Sequence, residues 1–272
     1  MIRIITDSGC DLKEMNGLSI VPFTVTADGI DYKDEIHDGK SPIVDVYEKS
    51  EKTSTACPGP NLWYEAANGA DNVIMMPTTK EISGSYNAAN IASQMLEEDG
   101  VKSVVIDTMM VSAGLNLMVR KAVEMAANNL PFDEIHKAIN AMQTKMNFIL
   151  FSINNLVKNG RVPKIAGMAV NALKLSVIGE DKDGAFGFVC KSKGEKKSIS
   201  AIIDEMKKNG FCSKFGHVEI THCLNRNLAD ELARRIKDTF GEVSVFISSA
   251  SGLCSYYAER GGILVGYQTQ CN

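Results

Sequence analysis

The sequence has no CxxC pair, no HExxH, no GxSxG elbow, no P-loop and no GxGxxG, and it holds four histidines in 272 residues. These absences remove the common signatures of zinc centres, α/β-hydrolase nucleophiles and phosphate-cradling loops. No run approaches the ~18 uninterrupted apolar residues that a membrane-spanning helix needs. Clustered positive charge is scarce as well. The formal net charge is -4 and the pI near 5.7, which argues against a generic nucleic-acid binder, because phosphate neutralisation needs grouped Lys and Arg. The one basic cluster, Lys191-Ser192-Lys193-Gly194-Glu195-Lys196-Lys197, reads as a solvated helix face. The opening Met1-Ile2-Arg3-Ile4-Ile5-Thr6-Asp7 reaches an acid too soon for a signal-peptide apolar region. Seven scattered cysteines, an odd number, point to reduced thiols. The expected location is cytoplasmic.

What is present is the composition of a soluble globular protein, 44% hydrophobic and 23% charged, with length for one large domain or two ordinary ones. Strands are expected at Arg3–Thr6, Val73–Met76, Ser103–Asp107 and Asn147–Ile153, with helices following Ser85 and Ser112 and another over Phe132–Met146. That order predicts an α/β layer fold with parallel strands. A hairpin is expected at Asp28-Gly29, a helix from Ser41-Pro42 to about Ser50, and irregular chain over 53–60, where two prolines and a glycine crowd together. Beyond Asn154 the pattern changes. It predicts a helix over 165–173, a hairpin across Asp183-Gly184, and further strands and helices to Thr269, a second α/β unit with antiparallel content. The expected domains are 1–155 and 156–272.

Four loops at strand exits carry similar chemistry: Asp7-Ser8, Thr78 to Ser85, Asp107 to Ser112, and Ser248 to Gly252. Ligands of open α/β sheets bind beyond the carboxyl ends of the strands, so these loops are expected to converge, with Thr53-Ser54-Thr55 joining them. Their donors are neutral hydroxyls, which suit a single carboxylate better than a pyrophosphate. The plain alternative is that each Ser and Thr caps a helix or closes a turn. His217 and His222 are expected on a strand, bonded to neighbours, and His136 on a helix face; no metal site is expected. Cys57 reads as a packed thiol before it reads as a nucleophile. The methionines Met75, Met76, Met109, Met110, Met118 and Met125 suit either core packing or an adaptable tunnel.

Thr6-Asp7-Ser8, Thr53-Ser54, Ser83-Gly84-Ser85-Tyr86, Val105-Ile106-Asp107-Thr108 with Ser112-Ala113-Gly114-Leu115, and Gly160-Arg161-Val162 together resemble the DegV family in order and spacing, nearly end to end. The resemblance implies a two-domain DegV-like fold, with a parallel-sheet N-terminal domain, a mixed α/β C-terminal domain and a lipid site between them. It implies a protein that binds one long-chain fatty acid and presents it to a separate fatty acid kinase subunit. Such a protein is non-catalytic by itself and has no cofactor beyond the bound acid. By position, Thr53, Ser54, Ser83 and Gly84 fall where the family holds the carboxylate, and Arg161 matches the Arg of the Gly-Arg motif.

The sequence also departs from the family. The family's His-Thr-Gly-Pro-Gly segment aligns with Ala250-Ser251-Gly252-Leu253-Cys254, its Leu-Asn-Ile-Lys-Pro run with Ala172-Leu173-Lys174-Leu175-Ser176, and the Gln after Thr-Ser with Thr55. Ser251 or Ser249 is left to replace one hydrogen bond of the missing His. The competing readings are a small-molecule hydrolase or transferase using a Ser or Cys nucleophile with Asp7 or Asp107, and a lipid-sensing regulatory module.

Overall fold

Ile4 and Ile5 are neighbours in strand β1 (Ile2–Asp7), both fully buried, and they enter different cores. Successive side chains of a strand point to opposite faces, so a strand apolar at every position needs cover on both sides. Strand β6 (Asn72–Met76) repeats the pattern. Its Val73 and Met75 join Ile5, whereas Ile74 and Met76 join Ile4. With β2 (Leu18–Val21) and β7 (Lys102–Val105) these strands form a parallel sheet in the order β2-β1-β6-β7, as the strand-loop-helix alternation predicts.

The structure is a computed structural model describing residues 1–34, 42–163 and 175–269. His37, Ser41, the predicted helix over 165–173 and the Ala172-Leu173-Lys174 departure lie outside the described residues. A second, six-stranded sheet is mixed, in the order β10-β9-β8-β13-β11-β12. Its strands are β8 (Thr144–Leu150), β9 (Ser176–Lys182), β10 (Ala185–Ser192), β11 (His217–His222), β12 (Ser244–Ser249) and β13 (Ile263–Gln268). Strands β11 and β12 run parallel, and every other pair is antiparallel. A small antiparallel sheet, β4-β3-β5, is built from β3 (Thr24–Ala27), β4 (Ile30–Lys33) and β5 (Thr53–Ala56).

Helices α2 (Pro60–Ala66) and α3 (Ser85–Glu98) cover the outer face of the parallel sheet, where Trp63 and Ala88, Ala89 and Ala92 pack on Ile5 and Met75. Helix α4 (Ser112–Ala127) lies between the two large sheets and is buried continuously from Ser112 to Val119. Its Leu115 and Val119 share one core with Ile74 of the first sheet and Phe148 and Leu264 of the second. On the far face of the second sheet, α7 (Glu195–Lys208) and α8 (Arg226–Phe240) bury Ile199, Ile202, Ile203 and Met206, and Leu228, Leu232 and Ile236, each at helical spacing. The remaining helices are α1 (Pro42–Tyr47), α5 (Phe132–Asn140), the short α6 (Asn154–Lys158) and α9 (Gly252–Ala258). The two large sheets and their helices are the expected two-part α/β arrangement.

Three expectations are corrected. The stretch over 53–60 is not wholly irregular, because Thr53–Ala56 is a strand paired with β3 and Pro60 opens α2, and only Cys57 to Gly59 lie outside both. The β-branched threonines favour the strand up to that point. The helix expected to Met146 ends at Asn140, and β8 begins at Thr144 because its backbone is captured by β13 and β9. Strand β8 therefore extends the mixed sheet, not the parallel one, although it precedes residue 155. His217 lies on β11 as expected, but its Nε2 is buried without a hydrogen-bond partner, whereas His222 Nδ1 accepts from the Asn225 N–H at 3.3 Å. His136 is on α5, beside Asn140.

Candidate ligand-binding site

The hydroxyl loops do converge, and buried aspartates draw them together. Asp7 accepts hydrogen bonds from the Gly9 N–H (2.9 Å), the Thr78 N–H (2.8 Å), Thr78 Oγ1 (2.7 Å) and Ser85 Oγ (2.5 Å). Asp11 accepts from Ser112 Oγ (2.6 Å), the Ser251 N–H (2.7 Å) and Thr221 Oγ1 (2.9 Å). Burial pushes both carboxyls above the usual range, and the donors only partly oppose it. Asp34 accepts from the Gly252 and Leu253 N–H groups at 2.6 and 2.8 Å, and burial pushes it up to about 6. These three side chains tie the ends of the parallel sheet to α4, β11 and α9. Much of the hydroxyl chemistry in the loops is thus spent inside the protein.

Between these loops and the second sheet lies a cleft open to solvent. Most of its wall is apolar, formed by Phe23, Val111, Phe148, Leu150, Leu156, Phe186, Leu253 and Leu264. Phe148 and Phe186 meet edge to face with centroids 5.8 Å apart. The polar lining is small: Thr55, Thr78, Ser83, Ser112, Tyr257 and one cation, Arg161. Arg161 Nε donates to the Ile82 carbonyl (3.1 Å) and Nη1 to the Asn159 carbonyl (2.6 Å). Both acceptors are neutral, and among the described residues no carboxylate pairs with Arg161. Thr55 Oγ1 and Tyr257 Oη lie 2.7 Å apart. One bond between two hydroxyls uses one hydrogen and leaves the other free to donate. Burial pushes the Tyr257 phenol up, so it stays a neutral donor. An apolar cleft carrying a cation that no described carboxylate pairs, together with convergent hydroxyls, suits an amphipathic anion.

The family model described as "Uncharacterised protein, DegV family" matches residues 1–269. The chain belongs to the DegV family. A DegV domain-containing protein of Streptococcus pyogenes serotype M1 is 34% identical over 280 residues, covering 98% of this chain and 99% of the relative. The crystal structure of the Streptococcus pneumoniae Fatty Acid Kinase (Fak) B3 protein loaded with linoleic acid is similar with a TM-score of 0.93 and 32% identity, covering 99% of each chain. A DegV family protein from Eubacterium eligens loaded with heptadecanoic acid also gives a TM-score of 0.93, with 34% identity, over 99% of this chain and 100% of that one.

Within this DegV fold, the residues singled out in the sequence separate into groups. Ser83 and Arg161 line the cleft. Ser83 Oγ also accepts the Ser85 N–H at 3.1 Å, at the start of α3. Thr53 and Ser54 are adjacent on β5 and therefore face opposite ways. Thr53 Oγ1 lies 2.8 Å from Tyr256 Oη and accepts from Lys158 Nζ at 3.0 Å, whereas Ser54 is exposed on the outer side of the small sheet. Gly84 precedes α3 beside Cys57, whose Sγ would sit 3.3 Å from an added Cβ. Ser251 is buried, donating to the Ser8 carbonyl (2.6 Å) and accepting from the Cys254 N–H (3.2 Å). It caps α9 and does not line the cleft. None of Met75, Met76, Met109, Met110, Met118 and Met125 is among the described residues lining the cleft, and Met76, Met110 and Met118 pack in the core.

Sequence reasoning placed Thr55 among the converging hydroxyls without assigning it to the head group, and it missed Tyr257. Thr55 is legible once 53–56 is read as a strand, since alternation puts Thr53 and Thr55 on one face. Tyr257 had no such signal, because its role depends on how α9 docks against the small sheet. Among the described residues no group of three or more His, Cys, Asp or Glu is placed to hold a metal ion, and no helix is long and apolar enough to cross a membrane.

Proposed function

We propose that this DegV protein binds a long-chain fatty acid, with the acyl chain in the cleft between the two sheets and the carboxylate at the Arg161 end. The observation that carries this reading is the cleft itself, apolar along most of its wall, with the Arg161 guanidinium, paired to no carboxylate among the described residues, beside Ser83, Thr55 and Tyr257. About 14 buried methylenes at ~0.8 kcal/mol each give a gross ~11 kcal/mol, of which association and ordering take back a large part. Each hydrogen bond to a charged head contributes about 1.5–3 kcal/mol. The tail thus supplies affinity and the head sets orientation. The acids held by the pneumococcal and Eubacterium eligens relatives support the ligand class.

We assign the carboxylate contacts to Ser83, Arg161, Thr55 and Tyr257. Thr53 and Ser251 act behind them by holding Tyr256 and α9, while Gly84 starts α3 and Ser54 faces outward. The protein presents its acid to a separate kinase subunit, in keeping with the description of the pneumococcal relative, works in the cytoplasm and performs no chemistry alone. Cys57 is exposed and not packed as expected, but desolvation still pushes its thiol up, which weighs against a nucleophile there. The domain division is drawn between α5 and β8, where the chain passes from one large sheet to the other.

The test is organic extraction of the purified protein followed by mass spectrometry, with titration of the delipidated protein by fatty acids. Recovery of an acyl chain and saturable one-to-one uptake are expected. No chain and no uptake would discard the reading.

A further inference from the structure

Glu259 closes α9 with φ 52° and ψ 174°, a backbone conformation that glycine adopts freely and other residues avoid. A glutamate there needs a compensating role, and its side chain supplies one. Glu259 Oε1 accepts the backbone N–H of Asn155 at 2.9 Å, in the first turn of α6 and 104 residues away in sequence. Ile153, which precedes α6, offers no side-chain cap. Helix α6 has five residues, too few to hold itself in water, so its order comes from what it is fastened to.

The fastening continues along α9. Asn155 Nδ2 donates to the Tyr256 carbonyl and Asn159 Nδ2 to Tyr256 Oη, both at 2.8 Å. At the far end of α6, Gly160 turns the chain with φ 72° and the Arg161 N–H closes on the Leu156 carbonyl at 2.8 Å. Arg161 therefore starts from a backbone position set by α6, and its guanidinium then reaches the Ile82 and Asn159 carbonyls at the cleft. The chain of contacts runs from a strained glutamate to the one cation among the described residues that line the cleft.

We propose that Glu259 is a positioning residue for Arg161: its carboxylate anchors α6 on α9 and so aims the guanidinium at the head group of the bound acid. This rests on the fatty-acid function proposed above. A charge-assisted bond to a backbone N–H is the stronger kind, and it offsets the cost of the glutamate's backbone. Removing the Glu259 side chain leaves the apolar wall intact and turns the cation away from the carboxylate.

The experiment titrates delipidated protein with hexadecanoic acid and with hexadecanol, both delivered from cyclodextrin. The ratio of the two affinities isolates the charged head. Wild-type protein is expected to prefer the acid, and Arg161→Gln and Glu259→Gly are each expected to lower that preference about tenfold, with affinity for the alcohol kept within about twofold. Glycine suits φ 52°, so Glu259→Gly keeps the fold, and Glu259→Gln, which retains an oxygen for the Asn155 N–H, recovers most of the preference. The double variant Arg161→Gln/Glu259→Gly is expected to lose no more than Arg161→Gln alone. A wild-type ratio in Glu259→Gly, or equal loss of acid and alcohol binding, overturns the positioning role and leaves fatty-acid binding standing. Wild-type protein with no preference for the acid overturns it also. Wild-type protein that binds neither compound overturns fatty-acid binding and the positioning role together.

Discussion

Tyr257 on α9 and Thr55 on β5 are 202 residues apart in the chain, and their hydroxyls lie 2.7 Å apart on the wall of the cleft. Two residues back along β5 and one along α9, Thr53 and Tyr256 form the same kind of pair at 2.8 Å. The small sheet is thus bonded twice to α9, once beneath the cleft and once on its surface.

Because the surface pair shares one hydrogen bond, its two members act as a unit. Tyr257→Phe and Thr55→Val are each expected to weaken fatty-acid binding by roughly five- to tenfold, and the double variant by little more than either. Calorimetric titration of the delipidated proteins measures this. Strictly additive losses would show that the two hydroxyls contact the ligand independently.

Ser251 and Ser83 are both serines at helix starts, and they are expected to behave differently. Ser251→Ala removes a buried hydroxyl and orphans two buried groups, the Ser8 carbonyl and the Cys254 N–H, and should cost about 1–3 kcal/mol of stability. Ser83→Ala is expected to cost under about 1 kcal/mol of stability and to weaken acid binding instead. Denaturant unfolding and ligand titration on the same samples separate the two effects. Identical behaviour would remove Ser83 from the set of head-group contacts.

Asp34 gives stability a pH dependence of defined sign. Burial raises its carboxyl from 3.8 to about 6 in the folded protein, so the folded state holds the proton more firmly than the unfolded chain. The resulting stabilisation is complete below 3.8 and is lost as pH rises through about 6. Asp34→Asn does not titrate. The stability of wild type relative to this variant is therefore expected to grow as pH falls from about 7 to about 4, by on the order of 3 kcal/mol. Urea unfolding across that range checks it, and the opposite slope would mean that the two N–H donors outweigh burial.

Gly84 and Gly184 are expected to respond differently to alanine. Gly84 has φ −74°, and its added methyl meets only Cys57 Sγ at 3.3 Å, so Gly84→Ala should change stability by less than about 1 kcal/mol. Gly184 has φ 81°, and a Cβ there would come within 2.5 Å of Thr79 Oγ1. Gly184→Ala should cost about 2 kcal/mol or more, by backbone strain plus displacement of the β9–β10 hairpin from the Thr78–Ser85 loop. A comparison of unfolding midpoints decides between these outcomes.

Much of the fold was legible in the chain, because it rests on local periodicity. The apolar runs at Arg3–Thr6 and Val73–Met76 read as strands, and both lie in the strands Ile2–Asp7 and Asn72–Met76 of the parallel sheet. The order of hydroxyl loops identified the family. Strand β8 was not legible as part of the mixed sheet, since nothing local distinguishes a strand that will pair with β13, more than a hundred residues later, from one that will join a parallel layer.

For the site, the sequence by itself determined the type of head-group chemistry, neutral hydroxyls that suit a carboxylate, and its resemblance to the DegV family implied the Gly-Arg motif and the long tail. Only the tertiary structure decided which hydroxyls are free. Thr78, Ser85, Ser112 and Ser251 are all bonded to buried carboxyls or backbone groups, while Thr55 and Tyr257 keep a hydrogen to give. A hydroxyl's availability depends on what faces it across the fold, and the acceptors here come from segments up to 243 residues away. Sequence spacing carries no record of that distance.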